Sequence, residues 1–227
     1  MEISIVKLPK DLRPEHLNDR VVVVFDVLRA TTTMATAIAS RAKEVRVFGS
    51  LDAAKNAASE FSGEKILAGE KECLPPAGFD LGNSPCDCAA ERVSGKTIFL
   101  STTNGTKAIV AAKGAARIFA AGLVNARATG LAVRKLGMDV TLLCSGTEGE
   151  FSPEDNLGAE MVRHAIEDSK EPLLSHDETM KFLHKTQGGQ NIVRAGLKRD
   201  IEFAARMDQF DVVVEVTGDP PIARRMQ

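Results

Sequence analysis

No Trp and no Tyr occur among the 227 residues, and only ten Phe do. A platform of rings for stacking bases is therefore missing. An excess of one charge is missing too: 29 Lys and Arg face 31 Asp and Glu, so no basic field draws in nucleic acid. No apolar run nears the ~20 residues of a membrane helix. The opening Met1-Glu2-Ile3-Ser4 has no basic stretch leading into an apolar core, so no secretory signal is expected. Cysteine is scarce. Cys73, Cys86, Cys88 and Cys144 build no disulfide framework in a chain this long, and Cys86-Asp87-Cys88 has no His or Cys pair downstream to complete a zinc site. What remains is a soluble, cytoplasmic protein whose core is large enough to fold without a disulfide or a metal. Neither nucleic acid nor membrane is expected as a partner.

What is present is a repeated alternation. Val21-Val22-Val23-Val24-Phe25 is a β-branched run without polar alternation, the pattern of a strand covered on both faces. Further strands are expected at 45–48, 65–68, 97–100, 118–120, 139–144 and 211–216. Helices are expected at 30–41, 51–61, 86–93, 106–113 and 124–136, with a mostly helical stretch from 153 to about 207. Gly218-Asp219-Pro220-Pro221 is expected to break regular structure. This spacing predicts an α/β fold of three layers, α/β/α, around a mostly parallel sheet whose strand order stays open. An eightfold barrel is the alternative, but only seven strands are visible and the last helices come in series. One domain is expected over 1–227, with room for a helical subdomain at 170–210. The loop 69–85 is long enough to suggest a functional role.

Ligands of open parallel sheets bind beyond the carboxyl ends of the strands. Four strand ends there read alike: Asp26 to Thr33, Gly69 to Glu72 running into Gly78 to Pro85, Ser101 to Lys107, and Cys144 to Gly149 leading to Asp155. Each is a Gly- and hydroxyl-rich turn feeding a helix, where amide groups and the helix dipole favour an anion. Capping explains any one of them; several on one rim favour an anion site. Asp26 and Glu70 follow buried strands, and Glu154 and Asp155 start a helix. Carboxylates so placed are relieved by pairing or by a hard cation, Mg²⁺ by preference. An Asp26–Arg29 ion pair and ordinary helix-start acids at 154–155 are the plain alternatives. Arg29 and Lys107 are the bases placed for a substrate anion. His16, His164, His176 and His184 lie outside these turns. The Walker loop, the second Asp of haloacid-dehalogenase phosphatases (Leu28 stands there), the Cys-x5-Arg loop (Glu150 stands at its Arg) and Gly-x-Ser-x-Gly are all missing.

Asp26-Val27-Leu28-Arg29-Ala30-Thr31-Thr32-Thr33, Gly78-Phe79-Asp80-Leu81-Gly82-Asn83-Ser84-Pro85, Thr102-Thr103-Asn104-Gly105-Thr106 and Glu154-Asp155 occur in that order. This series resembles the 2-phosphosulfolactate phosphatase family, Mg²⁺-dependent enzymes associated with coenzyme M biosynthesis. Asn125-Ala126 and Leu142 to Gly146 also look like family positions, with Ser145 where Ala is expected. The resemblance implies hydrolysis of the phosphate ester of a small phospho-acid bearing carboxylate and sulfonate. It implies Mg²⁺ held by Asp26, Glu70 and Asp155. Asp26, Glu154 and Cys144 are then the catalytic candidates. Arg29, Thr31, Thr32, Thr33, Asn83, Ser84, Thr103, Asn104, Gly105, Thr106 and Gly146 are expected to contact substrate. Attack by water and covalent attack by Asp26 or Cys144 stay open, with a structural thiol weighed above a nucleophile at Cys144. A non-catalytic phospho-ligand sensor and an aldol or isomerase enzyme on a phospho-acid are the competing functions. A homodimer is the prior for any oligomer.

Overall fold

The computed structural model describes residues 1–169 and 174–227; residues 170–173 of the expected helical stretch lie outside the described residues. The first half runs β1 (Ile3–Val6), β2 (Val21–Phe25), α1 (Ala30–Ala39), β3 (Glu44–Val47), α2 (Leu51–Glu60), β4 (Lys65–Gly69), α3 (Ala90–Val93) and β5 (Thr97–Ser101). It continues with α4 (Gly105–Ala111), β6 (Arg117–Ala121), α5 (Ala126–Leu136), β7 (Val140–Cys144) and α6 (Pro153–Ile166). Three short helices follow, α7 (His176–Lys185), α8 (Gln187–Arg194) and α9 (Lys198–Ala204), then β8 (Val214–Thr217) and β9 (Ile222–Arg225).

Among the described residues the strands form one open sheet in the order β1-β7-β2-β6-β8-β9-β3-β5-β4. Two parallel blocks, β1-β7-β2-β6 and β3-β5-β4, are joined through the antiparallel β8–β9 hairpin. An open order with β1 and β4 at its edges rules out the barrel. The sequence missed two strands. β1 is a short edge strand whose Ser4 interrupts its apolar residues. β9 reads as polar, because its Arg224 reaches out to Glu44, with Nε donating to Oε2 at 3.0 Å. The Gly218–Pro221 segment does not end regular structure; it is the turn between β8 and β9, with Gly218 at φ +83°.

Strand parity explains the layers. Val22 and Val24 pack with Met34, Ala35 and Ile38 of α1 and Ala108 and Ile109 of α4. Val21, Val23 and Phe25 face the other way, onto Ala126 and Val133 of α5 and Ala159 and Val162 of α6. All five β2 residues are fully buried, which is why the run carries no polar residue. Burial of each side chain is worth about 1.5–3 kcal/mol. Leu183, Ile192 and Ile201 of α7, α8 and α9 pack on Val27, Leu123 and Leu157. The three helices thus sit over the carboxyl end of β2, where the candidate acids emerge. No helix among the described residues is long and apolar enough to cross a membrane.

Candidate active site

At the carboxyl end of β2 the chain leaves the core at Asp26 and turns into α1. The Thr31 hydroxyl closes this turn, accepting from the Asp26 amide at 3.0 Å and donating to the Asp26 carbonyl at 2.9 Å. Thr32 donates to the Val27 carbonyl (2.8 Å) and Thr33 to the Asn83 carbonyl (3.0 Å). Thr106 donates to the Thr102 carbonyl at 2.9 Å. These hydroxyls therefore build the turns, as Thr commonly does at helix starts.

The Asp26 carboxylate accepts the Ala30 amide at 3.1 Å and is also met by the amide of Gly105, the first residue of α4. A Cβ on Gly105 would lie 2.5 Å from Asp26 Oδ2 and 2.6 Å from the Ala30 Cβ, so only glycine lets α4 approach this closely. Burial pushes the Asp26 carboxyl up to about 6; the Glu70 charge pushes the same way, against the two amides and Arg29. Glu70 follows β4, and its two oxygens accept the Thr103 amide (2.6 Å) and the Cys73 amide (2.9 Å).

Asp26 and Glu70 open on a cavity of about 620 Å³ lined also by Leu28, Arg29, Lys71, Glu72, Cys73, Leu74, Asn83, Thr103, Asn104, Thr147, Glu148, Gly188, Asn191, Arg194 and Ala195. A second hollow of similar size, about 510 Å³, lies between α4 and the β8–β9 turn; its only lining acids are Glu215 and Asp219, and none of the strand-end acids reaches it. Of the expected substrate contacts, Arg29, Asn83, Thr103 and Asn104 line the 620 Å³ cavity. Thr31, Thr32, Thr33, Ser84, Gly105, Thr106 and Gly146 stand behind this lining, and Lys107 is exposed away from it. No histidine lines it.

The remaining acids lie deeper. Asp155 Oδ1 accepts the Val27 amide (2.8 Å), and Oδ2 accepts the Ser145 hydroxyl (2.9 Å) and the Gly146 amide (3.1 Å). It stitches the ends of β2 and β7 together and does not reach the cavity lining. Burial, then the Asp26 and Glu154 charges, hold its carboxyl well above the usual range. Glu154 is buried beside Thr186 and Gly188, with Oε2 unpaired, and burial raises it too. Ser152 caps α6, accepting the Asp155 amide at 3.2 Å, which sets both acids in the first turn. Among the described residues, no three His, Cys, Asp or Glu side chains are grouped to hold a metal ion.

Cys144 ends β7 with its side chain in the apolar cluster around Val23, Phe25 and Ala159. It is fully buried, and burial pushes its thiol far up, so thiolate is scarce at neutral pH. Cys144→Ser is expected to retain phosphate release within about threefold while costing about 1–3 kcal/mol of stability for the buried hydroxyl. A colorimetric phosphate assay beside thermal unfolding checks both; complete loss of turnover in a folded variant makes the thiol the nucleophile.

Arg29 does not pair with Asp26. Its Nη1 donates to Asp200 Oδ2 at 2.6 Å and its Nη2 to the Cys73 carbonyl at 2.6 Å, while the Ser84 hydroxyl donates to Asp200 Oδ1 at 2.6 Å. Sequence reasoning missed Asn191 and Arg194, and gave no site role to Lys71, within the strand end 69–72, or to Asp200, within the family-like segment 196–200. The i, i+3 recurrence of Gly188, Asn191 and Arg194 was the available signal for the face of α8 turned to the cavity.

A family model described as 2-phosphosulpholactate phosphatase matches residues 6–219. A protein of Carboxydothermus hydrogenoformans named "Probable 2-phosphosulfolactate phosphatase" is 37% identical over 226 residues, covering 95% of this chain and 93% of that protein. Equally named proteins of Gloeobacter violaceus and Nostoc punctiforme are 37% and 35% identical, covering 96% and 89% of this chain and 96% and 91% of their own. The match spans the β2 turn, the loop before α3, the start of α4 and the α8–α9 wall alike, and the chain therefore belongs to the 2-phosphosulfolactate phosphatase family.

Proposed function

We propose that the protein is a Mg²⁺-dependent phosphatase that hydrolyses 2-phosphosulfolactate to sulfolactate and phosphate in the 620 Å³ cavity. One observation carries the reading: a buried carboxyl raised to about 6 stands beside a second carboxylate, Glu70, with an arginine on the same wall. The cavity lining holds four carboxylates (Asp26, Glu70, Glu72, Glu148) and three cations (Arg29, Lys71, Arg194), and Arg29 is already paired with Asp200. A phosphate ester carries roughly 1.5–2 negative charges near neutral pH before any acid group is counted. Such a polyanion enters an acidic cavity far more readily with a divalent cation.

The donor set fits that cation. Mg²⁺ takes oxygen ligands and is commonly held by one or two carboxylates together with substrate phosphate oxygens. Asp26 and Glu70 would hold it, and when bound it would polarise the phosphoryl group and offset its charge. Asp155 takes the positioning part, since it lies behind the cavity lining and holds Val27, Ser145 and Gly146. Arg29, fixed by Asp200 and the Cys73 carbonyl, orients the phosphoryl oxygens with its remaining N–H edge. Asn83 is buried and lines the same wall with Oδ1 unpaired, an acceptor suited to a water or hydroxyl proton. Water forms the new P–O bond as the ester P–O bond breaks; one of its protons stays on the phosphate and the other ends on the alkoxide oxygen of the leaving sulfolactate.

Phosphate release from 2-phosphosulfolactate with Mg²⁺ tests the reading. EDTA is expected to lower the rate at least 100-fold and added Mg²⁺ to restore it. Release that ignores EDTA overturns the metal part, and binding of the ester without any release makes the protein a phospho-ligand sensor.

A further inference from the structure

Helix α8 is the one wall of the cavity that brings cationic character without an acid. Residues 187–197 contain no Asp or Glu. Gly188, Asn191 and Arg194 recur along one face of the helix and all line the cavity. The opposite side is anchored: Ile192 is buried against Leu183 and Ile201, and the Thr186 hydroxyl caps the helix by accepting the Gly189 amide at 3.1 Å. The backbone carrying Arg194 is thus fixed. Asn191 Oδ1 accepts from Gln187 Nε2 at 2.8 Å and from Arg194 Nη2, which orients the guanidinium along the helix.

Among the cations of the cavity, Arg29 is held in an ion pair by Asp200. Lys71 and Arg194 are in no ion pair among the described residues. Lys71 stands between Glu70 and Glu72 in the chain, so its charge is offset locally. Arg194 alone combines an uncommitted charge, an acid-free helix and a planar fork suited to carboxylate or sulfonate. Asp26 and Arg29 take up the β2 side of the cavity, where the phosphoryl group is placed, so α8 faces the remainder of the ligand.

We propose that Arg194, oriented by Asn191, determines specificity by binding the acid groups of the substrate remote from the phosphoester, the carboxylate or sulfonate of a short phospho-acid. This rests on the phosphatase reading above. Arg194 is exposed at the cavity rim, so substitution there leaves the core packing alone.

Steady-state kinetics of Arg194→Gln and Arg194→Lys would be compared on 2-phosphosulfolactate and on glycerol 2-phosphate, which has no acid group beyond its phosphate. Arg194→Gln is expected to lower kcat/KM on 2-phosphosulfolactate about 10- to 100-fold, chiefly through KM, as loss of a charge-assisted contact does. Arg194→Lys should fall between it and the unaltered protein. The ratio of kcat/KM values for the two esters should drop at least tenfold. An equal fall on both esters, or no change on either, overturns the inference. If the unaltered protein releases phosphate from neither ester, the phosphatase reading fails by itself. Calorimetric titration with sulfolactate then decides: affinity at least tenfold weaker in Arg194→Gln supports the inference, and equal affinity or no binding to either protein overturns it.

Discussion

Asp26→Asn is expected to abolish phosphate release, by at least 1,000-fold, while making the protein harder to unfold. The carboxyl is buried and raised to about 6 from an ordinary 3.8, mainly because burial penalises its charge. An acid whose folded pKa is raised contributes fully to stability below its unfolded pKa, and that contribution is lost as pH rises through the folded pKa. Ionised Asp26 therefore costs the metal-free fold on the order of 3 kcal/mol above about pH 6. Asparagine resembles the protonated acid and escapes that cost. In EDTA near pH 7.5 its Tm is expected to rise by about 6–12 °C for a chain of this length. The gap should close towards pH 4, where both forms are neutral. Mg²⁺ should then raise the Tm of the unaltered protein and leave that of Asp26→Asn where it is, because a ligand stabilises only the fold that binds it. Thermal unfolding of both proteins at several pH values, with EDTA and with Mg²⁺, checks each part. A variant less stable than the unaltered protein at pH 7.5 in EDTA would make Asp26 a structural residue.

Asp200→Ala is expected to have the largest effect on stability. Asp200 is 2% exposed and Arg29 is 3% exposed. Removing one partner leaves a buried guanidinium without its counter-charge, which costs about 3–5 kcal/mol, or about 6–12 °C in Tm taking the lower figure. Ser84 loses its acceptor at the same time. Arg29 would keep only the Cys73 carbonyl, so activity should fall about 100-fold through loss of orientation. The double variant Arg29→Met, Asp200→Leu separates the two effects: it should recover most of the stability, as apolar replacement of a buried ion pair commonly does, and none of the activity. Activity recovered along with stability would mean that Arg29 takes no part in the reaction.

The positions that could be read from the letters share a local cause. β2 is legible because five consecutive apolar residues have one explanation, a strand covered on both faces. Asp26 and Glu70 are legible because an acid directly after such a strand stands at its carboxyl end. The Thr turns are legible as helix starts by their capping chemistry. The deeper contacts are not. Arg29 and Asp200 are 171 residues apart, and nothing near either one announces the other. Asn191 and Arg194 look like a solvated helix face until α8 is placed over β2. The β8–β9 hairpin was hidden because a Pro-rich turn reads as an end, and because β9 keeps its arginines by pairing Arg224 with Glu44, 180 residues away.

Periodicity and capping are near-neighbour physics, and they alone determined the α/β alternation, the parallel character of the sheet and the strand-end acids, along with the motifs that mark the family. Tertiary packing decided which acids face the cavity: Asp26 and Glu70 do, while Asp155 is turned inward by three donors from two other loops. It also decided that Thr hydroxyls close turns and that Arg29 is held by Asp200. The reason is that a buried polar group must find its partner wherever the chain brings one, and that partner is chosen by the shape of the whole fold.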